Sequence, residues 1–184
     1  MSKTYNVGVI IGSLRKGAYS RMAANTLVEL APESLNVQIV EILDLTLFNQ
    51  DLEETPPQAW VDFREAMAPM DAVIFCTPEY NRSTPAPLKN AVDIGSRGES
   101  LWSGKPVGIV STSPGALGGV SSDMHLRQSL VNVNAVTMPQ PDVNIGHIHK
   151  LVDENGKIVD EGTRQFLSKF LAAFAIWVEK NHKG

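Results

Sequence analysis

Asp71-Ala-Val-Ile-Phe-Cys76, running on into Thr77-Pro-Glu-Tyr-Asn81, is the stretch from which the fold is read. Ala72 to Cys76 is apolar at every position, without the alternation of a strand that has one wet face. Such a run suits a short strand covered on both sides, and the proline at 78 ends it. Upstream, Val7 to Ile11 is a second run of this kind, rich in β-branched residues. It is followed by a loop from Gly12 to Ser20 and by Ala23, Leu27, Leu30 and Ala31 at helical spacing before Pro32. Val37 to Leu43 reads as a strand and Gln58 to Ala68 as a helix. Downstream come a loop with Pro78, Pro85 and Pro87, a helix near Leu88 to Ile94 and a strand at Pro106 to Ser111. A glycine-rich loop from Ser113 to Gly119 precedes a helix marked by Leu126, Leu130 and Val133 and a short strand at Ala135 to Met138. The last helix spans about Thr163 to Val178, with Phe166, Phe170, Phe174 and Trp177 on one core-facing stripe. Asn49 to Pro57 is polar, and Pro139 to Gly156 is irregular.

Five strands alternating with helices predict a parallel sheet, since parallel crossovers need helix-length connections that then cover both faces. The expected fold is α/β, doubly wound and flavodoxin-like, with strand order 2-1-3-4-5 and the ligand outside the carboxyl ends of the strands. The 184 residues, 43% of them hydrophobic, suffice for one continuous core, so residues 1–184 read as a single domain. A net charge of −4 without runs of like charge speaks against nucleic acid and anionic membrane as partners. Val7 to Ile11 is too short for a secretory core or for membrane insertion, so a cytoplasmic location is expected. Cys76 stands alone, which excludes an internal disulfide, and it reads as core filler. His147-x-His149 lacks accompanying carboxylates or thiols and reads as loop rather than metal site.

Three loops lie at the carboxyl ends of the predicted strands. Gly12-Ser13-Leu14-Arg15-Lys16-Gly17-Ala18-Tyr19-Ser20 brings hydroxyls, a guanidinium and flexible backbone to a helix start, where free N–H groups favour an anion. It matches neither Gly-x-Gly-x-x-Gly nor the P-loop, and from these residues alone a phosphate cradle and a plain helix cap stand side by side. In Thr77-Pro78-Glu79-Tyr80-Asn81 the prolines hold the backbone extended, and Tyr80 projects from the strand end towards a position where an aromatic ring would rest. Ser113-Pro114-Gly115-Ala116-Leu117-Gly118-Gly119 is open enough for backbone amides to approach a ligand closely, although tight turns use the same residues. Lys89 and Asp93, four apart on one helix, form a surface pair or an interface contact.

Taken together, Gly-Ser-Leu-Arg-Lys-Gly at 12–17, Thr-Pro-Glu-Tyr-Asn at 77–81, Pro-Leu-Lys-Asn-Ala-Val-Asp at 87–93 and Ser-Pro-Gly-Ala-Leu-Gly-Gly at 113–119 resemble the NAD(P)H-dependent FMN reductases. The similarity is greatest to their bacterial quinone and chromate reductase branch. The resemblance implies that FMN is the cofactor and NADPH or NADH the co-substrate. Hydride would pass from the nicotinamide through flavin N5 to a small-molecule electron acceptor such as a quinone, chromate or an azo compound. It implies that Ser13, Arg15 and Ser20 hold the phosphate and that Pro78, Glu79, Tyr80 and Asn81 contact the ring and ribityl chain. Ser113, Gly115 and Gly118 would border the pyrimidine side, with Tyr80 and Arg82 facing the substrate. No side chain acts as a catalytic nucleophile, and a homodimer or homotetramer is implied, with a neighbouring subunit walling the site. The chain departs from its relatives at Ser20, where Asn is frequent, at Arg82, where an aromatic or glycine stands, at Ala86, often Gly, and near Gly95, often beside a Trp. Two other classes share these features: a flavodoxin-type electron carrier, and an FMN-binding interaction protein without catalysis.

Overall fold

A computed structural model describes residues 3–182. The strands β1 (Tyr5–Ile11), β2 (Leu35–Val40), β3 (Ala72–Pro78), β4 (Pro106–Thr112) and β5 (Val136–Thr137) lie in the order β2-β1-β3-β4-β5, and every pairing is parallel. The flavodoxin-like 2-1-3-4-5 order is therefore as expected. The helices α1 (Tyr19–Glu29), α2 (Gln58–Met67), α3 (Ala86–Gly95), α4 (Val120–Asn132) and α5 (Glu161–Asn181) cover the two faces.

The unbroken apolar runs have the cause proposed for them. Along β1, Val7, Val9 and Ile11 pack into one buried cluster with Leu27 of α1 and with Phe170 and Phe174 of α5, whereas Ile10 packs with Trp60, Phe63, Leu88 and Leu126 from α2, α3 and α4. Neither face meets water, so no alternation is needed, and each fully buried large side chain contributes about 1.5–3 kcal/mol. Cys76 is wholly buried in the first cluster, and burial alone pushes its thiol pKa up, which leaves it inert packing.

Three expectations need correction. The fifth sheet position is divided between two strands, β5 and a further strand, β6 (Val143–Ile145), which falls inside the segment expected to be irregular and pairs with Val110 to Thr112 of β4. Pro139-Gln140-Pro141 lies between them. Two prolines in three residues remove the N–H groups a continuous ladder would need. β2 ends at Val40 rather than Leu43, whose side chain is 61% exposed and has no partner strand to cover it. On α5 the buried stripe is Leu167, Phe170, Leu171, Phe174 and Val178, while Phe166 sits one step round the helix and is exposed. Trp177 packs at the margin of that stripe, its indole N–H donating to the Val136 carbonyl at 3.0 Å.

The register sets the site. Ile11 pairs with Cys76 and Pro78 with Thr112, so β1, β3 and β4 release their following loops along one edge of the sheet.

Candidate functional site

The first loop leaves β1 tied to its neighbour by the Gly12 N–H, which donates to the Cys76 carbonyl at 2.8 Å. It then folds tightly, the Ala18 N–H donating to Arg15 O at 3.2 Å and the Arg15 N–H to Ser13 Oγ at 3.4 Å. Helix α1 starts with Ala18 at the N-cap, where a methyl group offers no acceptor. Among the described residues, the N–H groups of Lys16, Gly17, Tyr19 and Ser20 find no acceptor, and Ser20 Oγ is fully buried without a hydrogen-bond partner. Leaving a buried hydroxyl unpaired costs about 1–3 kcal/mol. Four free amides and an orphaned hydroxyl thus fall within residues 16–20 at the positive end of a helix, and the exposed side chains of Arg15 and Lys16 enter no ion pair among the described residues. The donor set fits a phosphate and nothing cationic.

The second loop closes as a two-residue hairpin. Tyr80 and Ser83 exchange backbone hydrogen bonds of 3.1 and 3.0 Å, and Asn81 and Arg82 at its tip have φ of +50° and +62°. This is the type I′ turn, which needs left-handed backbone at both central residues. The Tyr80 hydroxyl lies 2.9 Å from Ser13 Oγ, so the first and second loops are fastened to each other by side chains. The remaining anchors run to α4. Glu79 Oε2 accepts from the Ser121 N–H at 3.0 Å, supplying the cap that Gly119 cannot. The Thr77 and Ser122 hydroxyls are 2.8 Å apart, Thr84 Oγ1 donates to Ser122 O at 2.9 Å, and Ser83 Oγ lies 3.0 Å from His125 Nδ1.

Arg82 is the tip of this hairpin, its side chain 71% exposed and 3.9 Å from the Glu79 carboxylate. A β-carbon in the left-handed region costs about 1 kcal/mol. Arg82→Gly is therefore expected to raise stability by up to about 1 kcal/mol, read from the urea midpoint, since the ion pair it gives up is long and exposed.

The third loop is welded to the segment that follows β6. Ser113 N–H donates to Ile145 O at 3.0 Å, His147 N–H to Gly115 O at 3.2 Å and Ile148 N–H to Ser113 O at 3.3 Å. Within the loop the Gly115 N–H donates to Ser113 Oγ at 3.0 Å and the Gly118 N–H to Gly115 O at 3.4 Å, while Ser111 Oγ lies 2.7 Å from Gly118 O. The amides of Gly115 and Gly118 are thus spent within the loop, and that of Ser113 on β6. The N–H groups of Ala116, Leu117 and Gly119 find no acceptor among the described residues. Thr112 Oγ1, at the end of β4, is a second buried hydroxyl without a partner.

Sequence reasoning placed these loops on one edge, and the structure brings Ser13 and Tyr80 into direct contact. Sequence reasoning missed the Glu79 carboxylate as a helix cap and the Ala116, Leu117 and Gly119 amides as the free donors. Beside the hairpin, Ser83, Lys89, Asp93, His125, Gln128 and Ser129 line a groove of about 590 Å³ between α3 and α4. There Lys89 Nζ donates to both Asp93 carboxylate oxygens at 2.7 and 2.8 Å.

Comparison with known proteins gives a consistent result. The model of the NADPH-dependent FMN reductase family matches residues 5–150, a span that contains all three loops. A quinone reductase of Pseudomonas putida is 52% identical over 184 residues, covering 98% of each chain. A 2-hydroxy-1,4-benzoquinone reductase of Burkholderia sp is 40% identical, covering 94% of this chain and 95% of the relative. Among solved structures, the flavoenzyme NAD(P)H:(acceptor) oxidoreductase FerB from Paracoccus denitrificans superposes with a TM-score of 0.90 at 34% identity, over 98% of this chain and 100% of that one.

Proposed function

This chain belongs to the NADPH-dependent FMN reductase family, and from that premise we propose that it is an NAD(P)H-dependent FMN oxidoreductase whose acceptors are quinones. Chromate and azo compounds stand as further acceptors to try. The observation that carries the cofactor is the cradle at the start of α1, where Ser20 Oγ is buried and unpaired among free amides. When FMN is bound, the redox chemistry between nicotinamide and acceptor belongs to its ring.

The residues of the chain bind and orient. Arg15 neutralises the phosphate, and Ser13, Ser20 and the α1 amides supply its hydrogen bonds. Tyr80 keeps the second loop over the first through Ser13, so Pro78, Glu79, Tyr80 and Asn81 present a fixed edge to the cofactor. Ser113, Gly115 and Gly118 hold the third loop open, and the Ala116 and Leu117 amides offer donors to the pyrimidine oxygens. Arg82, exposed at the hairpin tip, meets the acceptor or a nicotinamide phosphate. A second copy of the chain against the α3–α4 groove would wall the site, making the protein a homodimer or homotetramer. No described helix is long and apolar enough to cross a membrane, and we place the protein in the cytoplasm.

The test is an anaerobic absorbance trace of the FMN-loaded protein mixed first with NADPH or NADH and then with a benzoquinone. Bleaching of the flavin band followed by its recovery is expected. A band that stays unbleached with either nicotinamide assigns the protein to the electron carriers or to non-catalytic FMN binders instead.

A further inference from the structure

Helix α4 buries a carboxylate that none of the roles above uses. Asp123 is 1% exposed, and neither of its oxygens has a well-formed hydrogen bond. Arg127 Nε lies 3.0 Å from Asp123 Oδ1, with its N–H directed past it. The same guanidinium donates to Met138 O at 2.9 Å and reaches Asp142 Oδ1 at 3.5 Å. Those two contacts stand on either side of the break in the fifth sheet position. Met138 follows β5 and is tied to Val107 O through its N–H at 2.8 Å, and Asp142 immediately precedes β6. From β6 onward the chain holds the glycine-rich loop, through Ile145 O, the His147 and Ile148 amides, and the Asn144 side chain 2.6 Å from Ser111 Oγ.

We propose that Asp123 is a positioning residue for the cofactor. Its charge fixes the Arg127 guanidinium across the β5–β6 break, and that grip keeps the third loop in the shape FMN requires. The inference rests on the FMN reading of the site. Burial pushes the Asp123 carboxyl up to about 6, an effect Arg127 opposes and Asp142 reinforces. Arg127 from the same helix and Asp142 from the segment ahead of β6 are the charged groups that face it, while His125 on the outer side is turned to Ser83. The sign follows from linkage. The folded chain binds the proton more tightly than the unfolded chain, so folding stability is highest when Asp123 is protonated and falls as pH rises towards and through about 6. An ionised carboxylate kept in this place at neutral pH therefore lowers stability. Both Asp123 oxygens lack a hydrogen bond while the guanidinium beside them spans the β5–β6 break, so the carboxylate acts through that reach.

Asp123→Asn separates the two effects. At pH 7.5 the variant is expected to melt higher than the natural protein yet bind FMN about tenfold more weakly, a typical coupling between linked sites. At pH 5, where Asp123 is already mostly neutral, the two proteins converge in both properties. The FMN phosphate titrates in the same range, so the quantity read is the ratio of the two dissociation constants at each pH, from quenching of free-flavin fluorescence. Asp142→Asn, at a partly exposed position, is expected to weaken FMN a few-fold in the same direction. Equal FMN affinity at every pH, or affinity and melting point falling together at every pH, overturns the positioning role. Absence of FMN binding by the natural protein sinks instead the cofactor reading beneath it.

Discussion

Arg15→Ala should weaken FMN binding by roughly 10- to 150-fold, because a charge-assisted contact to a phosphate contributes about 1.5–3 kcal/mol. The side chain is exposed on the first loop and pairs with no carboxylate among the described residues. Folding stability should therefore stay within about 0.5 kcal/mol of the natural value. Ser20→Ala is the internal control for this assignment. Its hydroxyl is buried and unpaired, so removing it should leave the cofactor-free protein as stable or slightly more stable, while FMN affinity falls. A residue that only supported the helix would shift stability and affinity together. Fluorescence titration of the stripped protein with FMN, set beside urea melts without it, reads both quantities, and unchanged flavin affinity in Arg15→Ala would show the first loop to be misassigned.

The parts of this arrangement that sequence could carry are those written in contiguous residues. The Ala72 to Cys76 run announced a strand covered on both faces, and the loops after β1, β3 and β4 announced their common edge through strand order alone. Contacts between loops left no such mark. Tyr80 meets Ser13 only because β1 and β3 are neighbours in register, and Glu79 caps α4 from a loop 42 residues earlier in the chain. The break between β5 and β6 did leave a signal, the prolines at 139 and 141, which sequence reading absorbed into an irregular stretch. Asp123 left none. An acid four residues before an arginine on a helix reads as a solvated surface pair, whereas in the fold Asp123 is buried and its arginine reaches Met138 and Asp142.

Gly118→Ala tests how far the third loop depends on its fit to β6, and the expected damage is large. Gly118 has φ of +63°, and a β-carbon there would fall 2.4 Å from the Asn144 carbonyl carbon and 2.5 Å from its oxygen. The obstacle is backbone, which cannot rotate away as a side chain tip would, so either the loop or β6 must move. Left-handed strain of about 1–2 kcal/mol adds to an overlap cost of about 1–3 kcal/mol. The sum corresponds to a melting point lower by roughly 4–20 °C for a chain of this length. The displaced groups include Gly118 O, which Ser111 holds, and the Ser113 N–H held by Ile145, so FMN retention should collapse with the melting point. Gly17→Ala is the matched control: a β-carbon at Gly17 meets nothing within 4 Å, and its melting point should not move. Should Gly118→Ala melt normally and still lose FMN, the loop would be shown to yield without β6. The cofactor would then depend on the loop's own conformation, with the β5–β6 lock contributing little to it.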